Sequence, residues 1–128
     1  MAPARVLLVE DNDDNLQLVR FLLERGGFVV LAAHNGREGL RVARQELPNL
    51  ILMDLSLPEI DGWEAAQQLK ADSKTANIPL WALTAHTLPG DRQRALSIGF
   101  DGYISKPIDV ARFTDNITRA IEAADKDA

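Results

Sequence analysis

Cysteine is absent from this sequence, which excludes disulfide frameworks, thiolate metal sites and cysteine nucleophiles and is compatible with a cytoplasmic location. No apolar run reaches the length of about 20 residues that a membrane-spanning helix needs, and the first residues lack the apolar core of a secretory signal. Basic residues are in deficit, because 14 Lys and Arg stand against 19 Asp and Glu, for a net charge of -5. Direct binding to nucleic acid or to a membrane is therefore not expected.

The composition that remains is that of one globular domain. The chain has 128 residues, of which 46% are hydrophobic and 26% are charged, so it can close a core of its own. No repeat, low-complexity tract or linker divides it. We therefore expect a single domain over 1–128, with a core of about 5–124 and a frayed tail at 125–128.

Short apolar runs alternate with longer stretches of helical period, a pattern typical of a parallel sheet covered by helices on both faces. It predicts an α/β fold, a doubly wound (βα)₅ flavodoxin-like three-layer sandwich with strand order 2-1-3-4-5. The predicted strands are Val6–Val9, Phe28–Ala32, Leu50–Met53, Leu80–Leu83 and Gly102–Ile104. The predicted helices are Asp14–Arg25, Gly36–Gln45, Trp63–Ala71, Asp91–Ile98 and a last one that follows Asp109.

Acidic residues follow two strands that this order makes neighbours. Glu10 and Asp11 come directly after the first strand, and Asp54 ends the third. Capping of the next helix is an ordinary explanation for the first two. If all three carboxylates converge in one crevice, however, they require a cation to stay ionised together, and Mg²⁺ suits such oxygen ligands. The crevice then predicts Mg²⁺ together with a phosphoryl group.

The fourth and fifth strands end in residues that complete such a site. Thr84 supplies a hydroxyl and Lys106 an ammonium group at the same edge of the sheet. A lone threonine or lysine at a strand end would carry no functional meaning, since most lysines are simply solvated. Together with a carboxylate and a metal, they form a set suited to phosphoryl transfer.

On these residues the sequence closely resembles the receiver domain of two-component response regulators. The segments that carry the resemblance are LLVEDN at 7–12, ILMDLSLPEIDG at 51–62, ALTAH at 82–86 and GYISKP at 102–107. The resemblance implies that Asp54 is the phosphoacceptor and that Thr84 and Lys106 hold the phosphoryl oxygens. It also implies that Mg²⁺ is held by Glu10, Asp11, Asp54 and the backbone carbonyl of Ser56, and that the peptide bond between Lys106 and Pro107 is cis.

The same resemblance implies partners and a switch. A histidine kinase or histidine phosphotransfer protein would donate the phosphoryl group, and the chain would assist this transfer without being an enzyme. Thr84 and Tyr103 would then rearrange the face made by helix four, strand five and helix five, to which a downstream target binds. Ser56 and His86 flank the path of the hydrolytic water and would tune dephosphorylation. We expect a monomer or a weak dimer.

Other interpretations remain open at this stage. The chain could be a receiver excised from a hybrid histidine kinase or a longer regulator. A haloacid-dehalogenase-type phosphatase would need a second Asp two residues after Asp54, where this sequence has Ser56, and a flavodoxin-like binding module would need a phosphate-cradling loop where Glu10 begins an acidic run. Tyr103 could be an ordinary strand aromatic and His86 a solvated loop residue.

Overall fold

The computed structural model describes residues 3–55, 62–84, 90–106 and 108–127, without the side chains of 91 and 125–127. Within these ranges, parallel strands form one sheet in the order β2-β1-β3-β4-β5. The strands are β1 (Arg5–Val9), β2 (Val29–Ala33), β3 (Leu50–Asp54), β4 (Leu80–Thr84) and β5 (Gly102–Ser105). The predicted fold and strand order are confirmed, and the observed bounds differ from the predicted ones by one residue.

Helices connect the strands and cover both faces of the sheet. They are α1 (Asp13–Arg25), α2 (Gly36–Glu46), α3 (Gly62–Ala71), α4 (Asp91–Ile98) and α5 (Val110–Asp127). The start of α1 is set by Asn12, whose side chain accepts a hydrogen bond from the Asn15 N–H at 3.0 Å. The structure extends α5 to Asp127, into the predicted tail at 125–128, because these residues include no glycine or proline that would stop the helix.

Two buried clusters make up the core, one on each face of the sheet. The residues of each strand alternate between them, so that Leu7 and Ile51 pack beneath α2 and α3 while Leu8 and Leu52 pack beneath α1 and α5. Every residue of β3 is buried, because this strand lies at the centre of the sheet with helices on both sides. Both layers of helices are thus anchored to β3, which ends in Asp54.

The register of the sheet aligns the carboxyl ends of the central strands. Val9 pairs with Met53, Asp54 with Leu83, and Thr84 with Ser105. The residues that immediately follow β1, β3, β4 and β5 therefore share one edge of the sheet, as the predicted site requires. Among the described residues, no helix has the length and apolar character needed to cross a membrane.

Candidate functional site

Three carboxylates meet at this edge. Glu10 is 0% exposed and Asp54 is 4% exposed, whereas Asp11 lies open to solvent. One oxygen from each residue lies within 4.8 Å of the other two. The backbone fixes Glu10 in place, since its N–H donates to the Ala33 carbonyl of β2 at 2.9 Å. The sequence-predicted convergence of these three side chains is therefore present in the structure.

Lys106 closes the site from β5. Its Nζ lies 2.8 Å from Glu10 Oε1 and 3.7 Å from Asp54 Oδ2, so one ammonium group faces both buried carboxylates. Its backbone N–H donates to the Thr84 carbonyl at 2.8 Å, which ties the end of β5 to the end of β4. Thr84 is itself buried at that strand end. Sequence reasoning placed Lys106 in the site but missed its ion pair with Glu10, because residues 96 apart in the chain give no local signal.

The electrostatics of the site are dominated by Glu10. Burial of this carboxyl group, together with its hydrogen bond to Asp54, raises its pKa from 4.5 to about 7, although Lys106 acts in the opposite direction. The ammonium group of Lys106 therefore does not fully compensate the charge of two adjacent carboxylates. A protonated Glu10 or an additional cation is needed to balance the charge of the site.

The donor set fits a magnesium ion. Mg²⁺ prefers oxygen ligands and is commonly held by one or two carboxylates, with water and phosphate oxygens at its remaining positions. Glu10 and Asp54 supply buried carboxylates on one side, and the exposed Asp11 leaves the other side open to solvent and substrate. The raised pKa of Glu10 reflects the same excess of negative charge that a divalent cation would neutralise.

The metal-free protein is expected to lose stability as the pH rises from about 4.5 to about 7. The folded state holds the Glu10 proton in this range while the unfolded chain releases it, so the contribution of Glu10 is complete below pH 4.5 and is lost as the pH passes the raised pKa. The expected loss is on the order of 2–3 kcal/mol. Urea unfolding in a chelating buffer at several pH values measures it.

Glu10→Gln is the variant that isolates this effect, because glutamine keeps the size of the side chain and does not titrate. Its free energy of unfolding should vary less between pH 4.5 and 7 than that of the wild type. Glu122→Gln, which alters an exposed carboxyl on α5, serves as the control and should leave the wild-type dependence intact. Equal slopes in wild type and Glu10→Gln would contradict the assignment.

Gly62 brings α3 against the strand end that carries Asp54. A Cβ built on Gly62 would lie 2.5 Å from the Asp54 carbonyl oxygen and 2.8 Å from the Leu55 Cα. Only glycine allows the first residue of α3 to approach the backbone of β3 this closely. Gly62 ends the segment 51–62 that carries the family resemblance, and the structure shows that its lack of a side chain is a packing requirement of the site.

The other predicted site residues have different outcomes. Tyr103 is half-buried, its hydroxyl oxygen is buried, and that oxygen has no hydrogen-bond partner among the described residues. The ring packs against the cluster beneath α2 and α3. Its rearrangement on phosphorylation stays a prediction. Ser56, His86 and Pro107 lie outside the described residues, and so do the predicted Ser56 carbonyl ligand and the cis peptide bond.

Comparisons with known proteins agree with this geometry. The family described as response regulator receiver domain matches residues 6–118. The polar-differentiation response regulator DivK of Brucella anthropi is 44% identical over 115 residues, which cover 90% of this chain and 94% of that protein. Its counterpart in Brucella ovis is 44% identical over 112 residues, covering 88% of this chain and 91% of that protein.

Solved structures show the same fold. The receiver domain of a sensor histidine kinase from Pseudomonas aeruginosa, which has a magnesium ion coordinated in its active-site cleft, superposes with a TM-score of 0.87 at 34% identity and covers 94% of this chain and 99% of that one. A CheY-like response regulator receiver domain protein from Methanospirillum hungatei has a TM-score of 0.90 at 25% identity, covering 98% and 99%.

Proposed function

This chain belongs to the response regulator receiver domain family, and from that membership we propose that it accepts a phosphoryl group from a phosphohistidine on the side chain of Asp54. The observation that carries the proposal is the position of a buried Asp54 carboxylate 3.7 Å from the ammonium group of Lys106, with two further carboxylates beside it. The donor is a histidine kinase or a histidine phosphotransfer protein, and the receiver is a substrate that assists its own modification.

In the proposed reaction, an oxygen of the Asp54 carboxylate attacks the phosphorus atom, and the bond to the donor imidazole nitrogen breaks in line with it. Lys106 lies close enough to Asp54 to stabilise the negative charge of the transferring phosphoryl oxygens. Thr84 ends the adjacent strand and would direct its hydroxyl to the same oxygens once they are in place. Because these groups are held at neighbouring strand ends, their backbones are already in place for the transfer.

Glu10, Asp11 and Asp54 would hold the metal ion in this scheme. When bound, Mg²⁺ supplies positive charge that neutralises the phosphoryl oxygens. Glu10 would give up its proton when the metal binds. Lys106, which is paired with Glu10 in the structure, would then become available to the phosphoryl group. The Mg²⁺-containing receiver from P. aeruginosa supports the choice of metal.

Incubation with acetyl phosphate and Mg²⁺ tests the proposal without a partner protein. Intact-protein mass spectrometry should show the addition of one phosphoryl group, and chelation of Mg²⁺ should prevent it. Labelling that survives hydroxylamine or mild alkali, both of which cleave an acyl phosphate, or the absence of any labelling would contradict the proposal.

An apolar groove beside the site supports transfer from a protein donor. The groove has a volume of about 550 Å³ and lies between α1 and the segment that follows β5. Its lining includes Leu18, Ile108 and Val110, and Lys106 belongs both to the groove and to the phosphorylation site. Leu18 is 52% exposed, and the neighbouring Phe21 on α1 is 58% exposed. A donor that covered this surface would bring its histidine to Asp54.

Leu18→Ala is expected to slow transfer from a phosphorylated donor protein by roughly tenfold, because truncation removes an exposed apolar side chain that lines the groove. The rate with acetyl phosphate, which needs no docking, should stay unchanged. Leu96→Ala is the matched control, since Leu96 is 51% exposed but lies on α4. An equal effect of the two substitutions on transfer would contradict the assignment of this groove.

Phosphorylation is further proposed to alter the packing around Tyr103 and thereby the face formed by α4, β5 and α5. Tyr103 on β5 pairs with Ala82 on β4, and Ala82 lies two residues before Thr84 on the same strand. A movement of Thr84 would therefore change the packing of the Tyr103 ring. The Tyr103 hydroxyl is buried without a hydrogen-bond partner among the described residues, which costs free energy. A second packing in which the hydroxyl finds a partner would remove this cost. Phosphorylation would shift the population between these two packings.

Beryllofluoride with Mg²⁺, a phosphoryl mimic, is expected to shift the backbone amide NMR signals of Thr84, Tyr103 and the face made by α4, β5 and α5. Signals of the α2 surface, such as that of Arg41, should shift little and provide the internal reference. A spectrum in which that face is unchanged would contradict the switch. The roles of Ser56 and His86 in dephosphorylation stay predictions.

A further inference from the structure

A row of arginines lies on α2, away from the phosphorylation site. Arg37, Arg41 and Arg44 are all exposed, and their spacing of four and three residues places them on one stripe of the helix. The rise of an α-helix separates them by about 6 Å and about 4.5 Å along its axis. The stripe borders a groove of about 450 Å³ between α2 and α3, whose remaining lining is Leu40, Gln45 and Gln68.

The carboxylates near this stripe leave most of its charge uncompensated. Glu38 lies beside His34, with 3.7 Å between His34 Nδ1 and Glu38 Oε2, and Glu46 lies 3.7 Å from Arg5. In the described part of the chain, Arg41 donates only to the neutral Gln45, at 3.2 Å, and Arg37 makes no ion pair. Arg44 alone is paired, through its Nε to Asp72 Oδ2 at 2.8 Å.

This arrangement is unfavourable for the isolated helix, because like charges at spacings of three and four residues repel each other. It also contrasts with the net charge of -5 of the chain. The lining of the groove contains no acidic residue, and guanidinium groups bind carboxylates through parallel hydrogen bonds. A helix with carboxylates at spacings of four and three residues would match the stripe in both charge and distance.

We propose that the groove between α2 and α3 binds an acidic helical segment of a partner protein through Arg37, Arg41 and Arg44. The overall negative charge of the chain disfavours a long polyanion such as nucleic acid, whereas a short acidic helix can be bound by a local positive patch. The groove is separate from the phosphorylation site, because none of its lining residues belongs to the carboxylate cluster.

The test uses the full chain and a synthetic alanine-rich helical peptide of about 18 residues, a length at which such helices form in water. The peptide carries three glutamates at spacings of four and three, and a second peptide has glutamine at those positions. NMR titration of the ¹⁵N-labelled chain should give saturable shifts along α2 and at Gln68 with the glutamate peptide alone. Shifts elsewhere, or none, would overturn the proposal.

Arg37→Gln with Arg41→Gln should weaken this binding by roughly five- to tenfold, as expected for the loss of two charge-assisted contacts. Arg25→Gln with Arg119→Gln removes the same charge from α1 and α5 and should change it by less than about twofold. Equal weakening of peptide binding in the two double variants would overturn the proposed site and would indicate general electrostatic attraction. Both double variants should still be labelled by acetyl phosphate. A wild type that is not labelled would contradict the phosphorylation proposal without affecting the proposal of an acidic partner.

Two further measurements separate other occupants from an acidic protein helix. A DNA duplex that bound the same α2 residues more tightly than the glutamate peptide does would overturn the proposal in favour of a nucleic-acid ligand. Sedimentation of the wild type and of the Arg37→Gln, Arg41→Gln protein should show the same mass. A wild-type dimer that dissociated in this variant would overturn the proposal, because the groove would then bind a second copy of the chain.

Discussion

Asp54→Asn is expected to abolish labelling by acetyl phosphate and Mg²⁺. The substitution keeps the shape of the side chain at the end of β3 but replaces the attacking carboxylate with an amide, which is a very weak nucleophile at phosphorus. Intact mass spectrometry should therefore show the wild type with one added phosphoryl group and the variant with none. Labelling of the variant to the extent of the wild type would remove Asp54 from its proposed role.

The variant should fold at least as well as the wild type, which makes the loss of labelling interpretable. Asp54 is 4% exposed and adjacent to the buried Glu10, so removing its charge relieves repulsion between the two carboxylates. Circular dichroism and urea unfolding would establish this directly. Asp14→Asn, on an exposed residue in the first turn of α1, is the matched control and should be labelled like the wild type.

Lys106→Met is expected to slow phosphorylation by acetyl phosphate by roughly 10²–10³-fold, the effect of removing one preorganised charge-stabilising group from a transition state. Methionine keeps much of the length and packing of the lysine side chain while eliminating the ammonium group 3.7 Å from Asp54 Oδ2. The initial rate of mass gain at a fixed, saturating Mg²⁺ concentration provides the measurement. A variant that reacts at the wild-type rate would contradict the proposed role.

Two controls distinguish catalysis from stability in this experiment. Lys74→Met removes an exposed lysine after α3 and should leave the rate unchanged. The rates should also be compared at a pH where both proteins are fully folded, because Lys106→Met leaves Glu10 without its partner at 2.8 Å and raises the cost of ionising it. A rate loss that vanished under those conditions would assign Lys106 a purely structural role.

Much of the candidate site was predictable from local sequence features. Glu10, Asp11, Asp54, Thr84 and Lys106 each follow or end a short apolar run, and in a parallel sheet such positions share one edge. Strand order was predictable only as the usual order of a five-stranded doubly wound sheet. The positions of the site residues needed only the order of apolar and polar residues.

The ion pairs and the grooves could not be predicted from the sequence, because they depend on distances between residues that are far apart in the chain. The stripe of arginines on α2 can be read from its spacing, but only the structure shows that Glu38 and Glu46 lie against other partners. The groove beside Lys106 likewise forms where α1 meets the segment after β5. Sequence patterns describe one element at a time, whereas grooves and ion pairs arise between elements.

The sequence by itself determined the α/β architecture and the edge at which the acidic and basic residues gather, since both follow from hydrophobic periodicity and from the usual strand order of such a sheet. Tertiary structure alone decided that Glu10 is fully buried against Asp54 with Lys106 as its counter-ion, and that its pKa rises to about 7. Burial and close approach of charges depend on packing in three dimensions, and these set the charge that a metal and a phosphoryl group would meet.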